Sequence, residues 1–465
     1  MSASTTATQE LAFAGLARQA ELVASGEVSS RELTELYLER IARLDPQLNA
    51  FRVVLAERAL AEADQADGRA RGGDRRPLLG VPVAIKDDSD VAGEVTALGT
   101  NAHGGPVTAD SEVVRRLRAA GAVVIGKTNV PELTIVPFTE TPTFGTTRNP
   151  WDLQRTPGGS SGGTAAAVAA GLVGGALGSD GGGSIRIPAA CTGLFGLKPQ
   201  RDRVPTAPAV DPWHGLSVFG PLTRRVADTA LFLDAVSEGA EPLMPAVERA
   251  PGKLRIAVSL KVPPPITAAA DAEQREAVFD AVELLRSLGH DVIERDPDYG
   301  QVTLSFSARY LSGIRDEARR MEHPERLARR TRGYARLGSL IPAATLAKAR
   351  AAEAQDARRL NAIFDDVDVV LTPMFTRRPI PIGEYEGRSA LWTFNGTGRW
   401  VPFCEAWNVI GQPAASVPMG FAADGFPRAV QFMGRRADEA TLVSLAAQIE
   451  AERPWADRLP PFAAG

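Results

Sequence analysis

Near the amino terminus, apolar residues recur at helical spacing, with Leu33, Leu36, Tyr37, Ile41 and Leu44 on one face of a 3.6-residue period. Ser29, followed three residues later by Glu32, has the form of a capping box, so the spacing predicts a helix that opens at Ser29. From Leu79 the pattern changes. Short β-branched runs at 81–85 and 122–125 are separated by Gly- and Pro-bearing turns and by a helical segment at 111–120. Strands alternating with helices predict an α/β protein whose sheet is covered on both faces.

Residues 142–199 are rich in glycine, serine and alanine, with one segment of good helix propensity at 164–170. Asp180 and Arg186 stand isolated beside apolar Ile185 and Ile187, which reads as a site-forming region rather than a linker. Residues 230–370 are more helical, with amphipathic patterns at 271–288 and 343–364 and strands expected at 256–258 and 367–371. Between 315 and 336 lie eight arginines against four acids; this reads as a solvated helix face laced with i,i+4 pairs rather than a groove for an acidic partner. Two further strands, at 412–418 and 428–434, and a helix at 438–452 return the chain to α/β character. There is no repeat of solenoid period.

Composition narrows the function classes. At 44% hydrophobic and 23% charged, the 465-residue chain can bury a large core without staples, and its length leaves domain count open. A formal net charge of −4, from 52 basic and 56 acidic residues, argues against nucleic acid as the main partner and favours small-molecule chemistry. Cys191 and Cys404 are too few for a disulfide scaffold or a four-thiolate zinc site. Neither a signal peptide nor a span of about twenty apolar residues is present, so the expectation is a cytoplasmic protein without membrane contact.

Two motifs mislead. GAVVIGKT, at 121–128, satisfies the Walker A pattern, but its intervening residues Ala122 to Ile125 make a strand and Pro131 spoils the helix that a phosphate cradle needs. GGSSG, at 158–162, satisfies G-x-S-x-G, yet none of His214, His290 and His323 downstream is a convincing base. Four histidines in all, counting His103, support a catalytic zinc centre no better.

The informative constellation is distributed. GVPVAIKDD carries Lys86 at the end of an apolar strand, GGSSGG carries Ser160 and Ser161, and SDGGGSIRIP carries Ser184 after three glycines. A serine hydroxyl becomes a good nucleophile only when a base takes its proton, and lysine serves only when neutral. With an ordinary pKa near ~10.4, about one lysine in a thousand is neutral at pH 7.4, so burial has to favour the amine by about 4 kcal/mol. Val83, Ala84 and Ile85 are neighbours of that kind. Successive N–H groups from Gly181, Gly182, Gly183 and Ser184 are candidates to converge on a developing oxyanion.

Together these segments resemble the amidase signature family. TPGGSSGGTAAAVAAGL followed by GSDGGGSIRIPAACTGLFGLKP resembles its signature almost throughout, and GAVVIGKTNVPEL, FGTTRNPWD, FGPLTRRVAD, NVIGQPAASVPMG and AVQFMG agree with it from Leu79 to about Glu450. The resemblance implies a Ser-cisSer-Lys triad, with Ser184 as nucleophile, Ser160 as the bridging serine on a cis peptide and Lys86 as base. It also implies one α/β domain over residues 1–465 with a large mixed, twisted sheet surrounded by helices. Within it fall an N-terminal helical part (1–78), a signature core (79–230), a variable and mostly helical substrate-side region (231–370) and a C-terminal part completing the core (371–465).

The implied reaction is hydrolysis of aryl or aliphatic amides, and in some members of carbamates or esters, through an acyl-enzyme with no metal or organic cofactor. The protein is expected to be a monomer or homodimer. Asp180 and Arg186, with Ser161, are expected to brace the site, and Thr134, Phe138, Arg203 and Trp407 to reach substrate. Phe144, Trp392, Phe394, Trp400 and Phe403 are further candidates for an apolar pocket. Gly181, Asp88 and Gln200 depart from the family's commoner residues, threonine or isoleucine, asparagine, and threonine, and these departures bear on substrate preference. The alternatives are the glutaminase subunit of a tRNA-dependent amidotransferase, whose tyrosine- and glycine-rich middle segment is missing here, and, outside the hydrolases, a P-loop nucleotide-binding protein or a catalytically dead scaffold.

Overall fold

The computed structural model describes residues 3–237 and 239–463. Its strands are β1 (Phe51–Val54), β2 (Pro82–Lys86), β3 (Val123–Thr128), β4 (Glu140–Thr141), β5 (Gly145–Thr146), β6 (Gly175–Asp180), β7 (Phe195–Lys198), β8 (Val218–Thr223), β9 (Arg255–Val258), β10 (Asp291–Glu294), β11 (Val369–Pro373), β12 (Ala414–Phe421) and β13 (Pro427–Met433). Eleven of them form one mixed sheet in the order β1-β3-β2-β6-β8-β7-β12-β13-β11-β9-β10, and β4 pairs with β5 apart from it. Helices flank the sheet, giving a single α/β domain.

Both faces of the sheet are covered. Val83, Ile85 and Val124 enter one apolar cluster, while Ala84, Val123 and Ile125 enter another. This two-sided burial explains why β2 and β3 read as continuous apolar runs rather than alternating ones. β2 runs parallel to β6, with Ala84 opposite Ala176 and Ile85 opposite Leu177. The carboxyl ends of the two strands therefore lie side by side, and Lys86 and Ser179 emerge at one end of the sheet, where open α/β sheets offer a crevice.

The first amphipathic pattern forms the helix Ser30–Leu48, whose five periodic apolar residues are all buried. Ser29 Oγ accepts from Glu32 N at 3.1 Å and Glu32 Oε2 accepts from Ser29 N at 2.8 Å, closing the capping box. The Walker look-alike is strand β3, and Lys127 is consumed inside the protein: its amine donates to Val95 O at 2.9 Å and pairs with Asp87 at 2.9 Å. That geometry contradicts the P-loop alternative, since neither a loop nor a free lysine is there to hold phosphate.

The expected helix at 343–364 is broken into Ala343–Ala351, Glu353–Asn361 and a 3-10 turn, Ala362–Asp365. The arginine-rich stretch spans the end of the helix Val302–Arg320, a short turn and the helix Arg329–Ser339. Its pairs are close in sequence, Arg315 with Asp316 and Arg320 with Glu317, rather than i,i+4. Strands β6, β7 and β8 were not anticipated. No helix among the described residues is long and apolar enough to cross a membrane.

Candidate active site

Lys86 ends β2 and is completely buried. Its Nζ lies 2.7 Å from Ser160 Oγ, 2.7 Å from Ser179 Oγ and 3.2 Å from Asp88 Oδ2. The Ser179 hydroxyl donates onward to Asp88 Oδ2 at 2.5 Å. Burial pushes the Lys86 amine below the ordinary lysine value, although the carboxylates of Asp88 and Asp180 pull the other way. Desolvation is the larger influence, so the amine's affinity for a proton is reduced on balance.

Ser160 follows a cis peptide bond, Gly159–Ser160, and leads through Ser161 into the helix Gly162–Ala169. Ser161 is buried and steadies the end of β6, since its hydroxyl donates to Ser179 O at 3.3 Å and accepts from Ser179 N at 3.4 Å. The loop that follows, Asp180 to Ser184, is fixed by a buried ion pair. Asp180 accepts from Arg186 Nε at 2.9 Å and Nη2 at 3.0 Å, from Gly183 N at 2.6 Å and from Ile185 N at 3.2 Å. Arg186 reaches further, donating to Asn408 Oδ1 and Gln431 Oε1, each at 2.6 Å, and to Cys404 O at 3.1 Å. Burial alone would raise the Asp180 carboxyl, but the charge and hydrogen bonds of Arg186 hold it below the usual range, as a braced carboxylate.

Gly183, at φ +120, adopts a conformation that other residues resist, and a side chain there would run into Ile187 and Cys404. Because its N–H is engaged by Asp180, Gly183 is not available to an oxyanion, which corrects the expectation of four converging donors. The N–H groups of Gly181, Gly182 and Ser184 form no hydrogen bond among the described residues.

Ser160, Ser179, Gly181, Gly182 and Ser184 open onto one cavity of about 360 Å³. The Ser184 hydroxyl has no hydrogen-bond partner among the described residues. Trp213, Phe306, Tyr310 and Phe394 form an aromatic wall, with Tyr310 centred 5.5 Å from Trp213, 5.2 Å from Phe306 and 6.1 Å from Phe394. A second, acidic chamber of about 860 Å³, bordered by Asp88, Asp90, Asp316 and Glu317, adjoins the first through Thr134, Ser179, Trp213 and Ser217. No group of three or more His, Cys, Asp and Glu side chains among the described residues is disposed to hold a metal ion.

Of the residues expected to reach substrate, Thr134 and Phe394 line the cavity and the others do not. Phe138 is buried in the core, stacked on Tyr385 at 5.4 Å with Arg330 over its ring. Trp407 is likewise core, packed edge-on to Phe364. Arg203 donates to Glu241 O at 2.7 Å and lies near Glu439 and Asp234, a structural role. Trp400 and Phe403 are buried away from the cavity, Trp392 is exposed on the surface, and Phe144 does not reach it. Sequence reasoning missed Ser179 and Glu405. Ser179 was hidden in a glycine-rich run, although a hydroxyl closing the strand beside that of Lys86 was the available signal. Glu405 is a single acid within the otherwise uncharged run VPFCEAWNVIG, itself a hint of purpose.

Lys86 and Ser179 lie near the carboxyl ends of the parallel strands β2 and β6, with Ser160 beside the lysine and Ser184 on the same cavity, an arrangement that befits an α/β enzyme. Residues 32–443 match the family model described as Amidase, and the chain belongs to the amidase signature family of enzymes, which hydrolyse the C–N bonds of amides. It is similar to AmiB2 of Mycobacterium tuberculosis, 55% identical over 455 residues that cover 97% of this chain and 98% of that protein. Among solved structures, a substrate complex of 6-aminohexanoate cyclic dimer hydrolase superposes with a TM-score of 0.88 at 31% identity, covering 97% of this chain and 99% of the other. Native peptide amidase from Stenotrophomonas maltophilia superposes with a TM-score of 0.81 at 27% identity, covering 96% and 98%.

Proposed function

We propose that Ser184 is the nucleophile of an acyl-transfer cycle, that Ser160 relays its proton, and that Lys86 is the base that receives it. The observation that carries this reading is the buried Lys86 amine, 2.7 Å from Ser160 Oγ, with Ser160 and Ser184 on the same cavity. As the amide enters, the Ser184 hydroxyl closes onto Ser160, a contact that often tightens only with substrate bound. Ser184 Oγ attacks the carbonyl carbon while its proton passes through Ser160 to Lys86. The N–H groups of Gly181, Gly182 and Ser184 face the oxyanion. Lys86 returns the proton through Ser160 to the leaving nitrogen, the C–N bond breaks and the amine departs. Water then adds to the acyl-enzyme by the same relay and releases the carboxylic acid, without a metal or organic cofactor.

The aromatic wall favours an aryl or alkyl amide, and carbamates and esters of the same shape fall within the reading because they share the carbonyl chemistry. The setting is a cytoplasmic enzyme acting on small molecules, as a monomer or homodimer. A panel of anilides, aliphatic amides, carbamates and esters assayed with wild type and Ser184→Ala tests it. Turnover is expected to fall by about 10⁴-fold or more in Ser184→Ala, and a serine-reactive sulfonyl fluoride is expected to sulfonylate Ser184 alone, adding the mass of the reagent less the HF that departs. Wild-type turnover in Ser184→Ala would overturn the assignment.

A further inference from the structure

Glu405 opens the short helix Glu405–Val409 and lines the same cavity as Ser160 and Ser184. It is only 8% exposed, and its Oε1 has no hydrogen-bond partner among the described residues. No cation pairs with it among those residues. The hydroxyl of Thr303, which also borders the cavity, is the polar group beside the carboxyl. Phe306, Tyr310, Ile187 and Val401 line the same cavity, together with Ser307, Asn395 and the cation Arg399, and Glu405 is the carboxyl group among its lining residues. A carboxyl withdrawn from water in such a setting is expensive unless something in the working complex compensates it.

Glu405 is also held in register with the reacting centre. The preceding residue, Cys404, packs against Gly183, where an added side-chain carbon would come within 2.9 Å of its Sγ, and Cys404 O accepts from Arg186. The buried Asp180–Arg186 pair therefore fixes both the loop that carries Ser184 and the chain that carries Glu405. A substrate seated on one is positioned against the other.

We propose that Glu405 is the specificity residue of this cavity and that it receives an ammonium group carried on an apolar arm of the amide substrate. This rests on the reading of the cavity as the site of amide hydrolysis, and names a substrate class within it. The charge fits the need: burial pushes the Glu405 carboxyl up to about 8, with the nearby Thr303 hydroxyl acting in the opposite direction. An arriving cation would restore its ionised form and supply the missing hydrogen-bond donors. An uncharged arm of equal length would leave the carboxyl without a counter-charge, and discrimination by unpaired buried polar groups is steep.

Two matched series test this. One pairs p-nitroanilides of ω-amino acids of increasing length with those of straight-chain fatty acids of equal length. The other pairs N-(ω-aminoalkyl)benzamides with N-alkylbenzamides, so that either side of the scissile bond can carry the cation. In wild type, kcat/KM is expected to favour the ammonium member of at least one series by about tenfold or more at an optimal length. In Glu405→Gln that ratio is expected to fall towards one, with KM taking most of the change. Glu405→Met, which keeps chain length and removes the charge, reads the same ratio should the glutamine variant prove unstable. No ammonium preference in either series would overturn the proposal. So would a preference that survives both substitutions, which would assign the cation to the acidic chamber of Asp88, Asp316 and Glu317 instead. Failure of the triad reading is seen separately, as turnover that persists in Ser184→Ala.

Discussion

Asp88 is the counterweight at the centre of this site. Its carboxylate, 3.2 Å from the Lys86 amine, favours the ammonium form, whereas burial favours the neutral amine that a base requires. In the proposed mechanism the neutral amine is the active form, so kcat/KM is expected to rise as pH climbs through the Lys86 pKa. Removing the negative charge in Asp88→Asn takes away a contribution that holds the proton on Lys86, so the acid limb of kcat/KM is expected to move to lower pH. An unmoved limb would mean that Asp88 does not act on the base. At this scale the motif residues singled out in the sequence come together in the fold: Lys86 lies 2.7 Å from Ser160, Ser184 opens onto the same cavity, and Asp180 pairs with Arg186. The sequence was not readable where a role depends on what lies across the fold. Phe138 and Trp407 look like pocket residues in one dimension and fill the core in three, while Glu405 faces the cavity only because Arg186 holds Cys404 against the Gly183 turn.

Among the elements, β6 shows why part of the sheet was hidden. Its sequence, GALGSD, has little of the β-branched character that marks β2 and β3, yet it is buried along its whole length between β2 and β8. Close approach dictates its composition. A side-chain carbon at Gly178 would lie 2.6 Å from Leu222 Cδ1 and 3.0 Å from Ser161 Oγ. Gly178→Val should therefore destabilise the protein by about 2–3 kcal/mol through overpacking, read as a lower urea midpoint, and should displace Ser161 from Ser179. A midpoint within error of wild type would contradict that account of the strand. The helix at 271–288 was legible because its amphipathic pattern runs over about four turns, and that at 438–452 because Asp438 precedes a run of good helix formers. The break at Ala352 was not, since both flanking segments keep helical composition and Ala352 itself stays in the right-handed helical region.

At the level of the whole molecule, α/β class and a sheet covered on both faces followed from the apolar runs, but strand order did not. β6 lies between β2 and β8, and β7 joins the first half of the sheet to β12; such pairings depend on long-range contacts with no local signature. Those contacts serve the site: Asn408 and Gln431, more than two hundred residues beyond Arg186, clamp the loop that carries Ser184 from the far half of the sheet. The fold's central task is to bury Lys86 while keeping it beside two serines. The most direct test is a ¹³C and ¹⁵N NMR titration of the Lys86 side chain, assigned by comparison with Lys86→Met in a chain of only six lysines. A midpoint clearly below that of free lysine, matching the acid limb of kcat/KM, is the predicted result. A midpoint at or above the free-lysine value would leave the base protonated at neutral pH and contradict the mechanism.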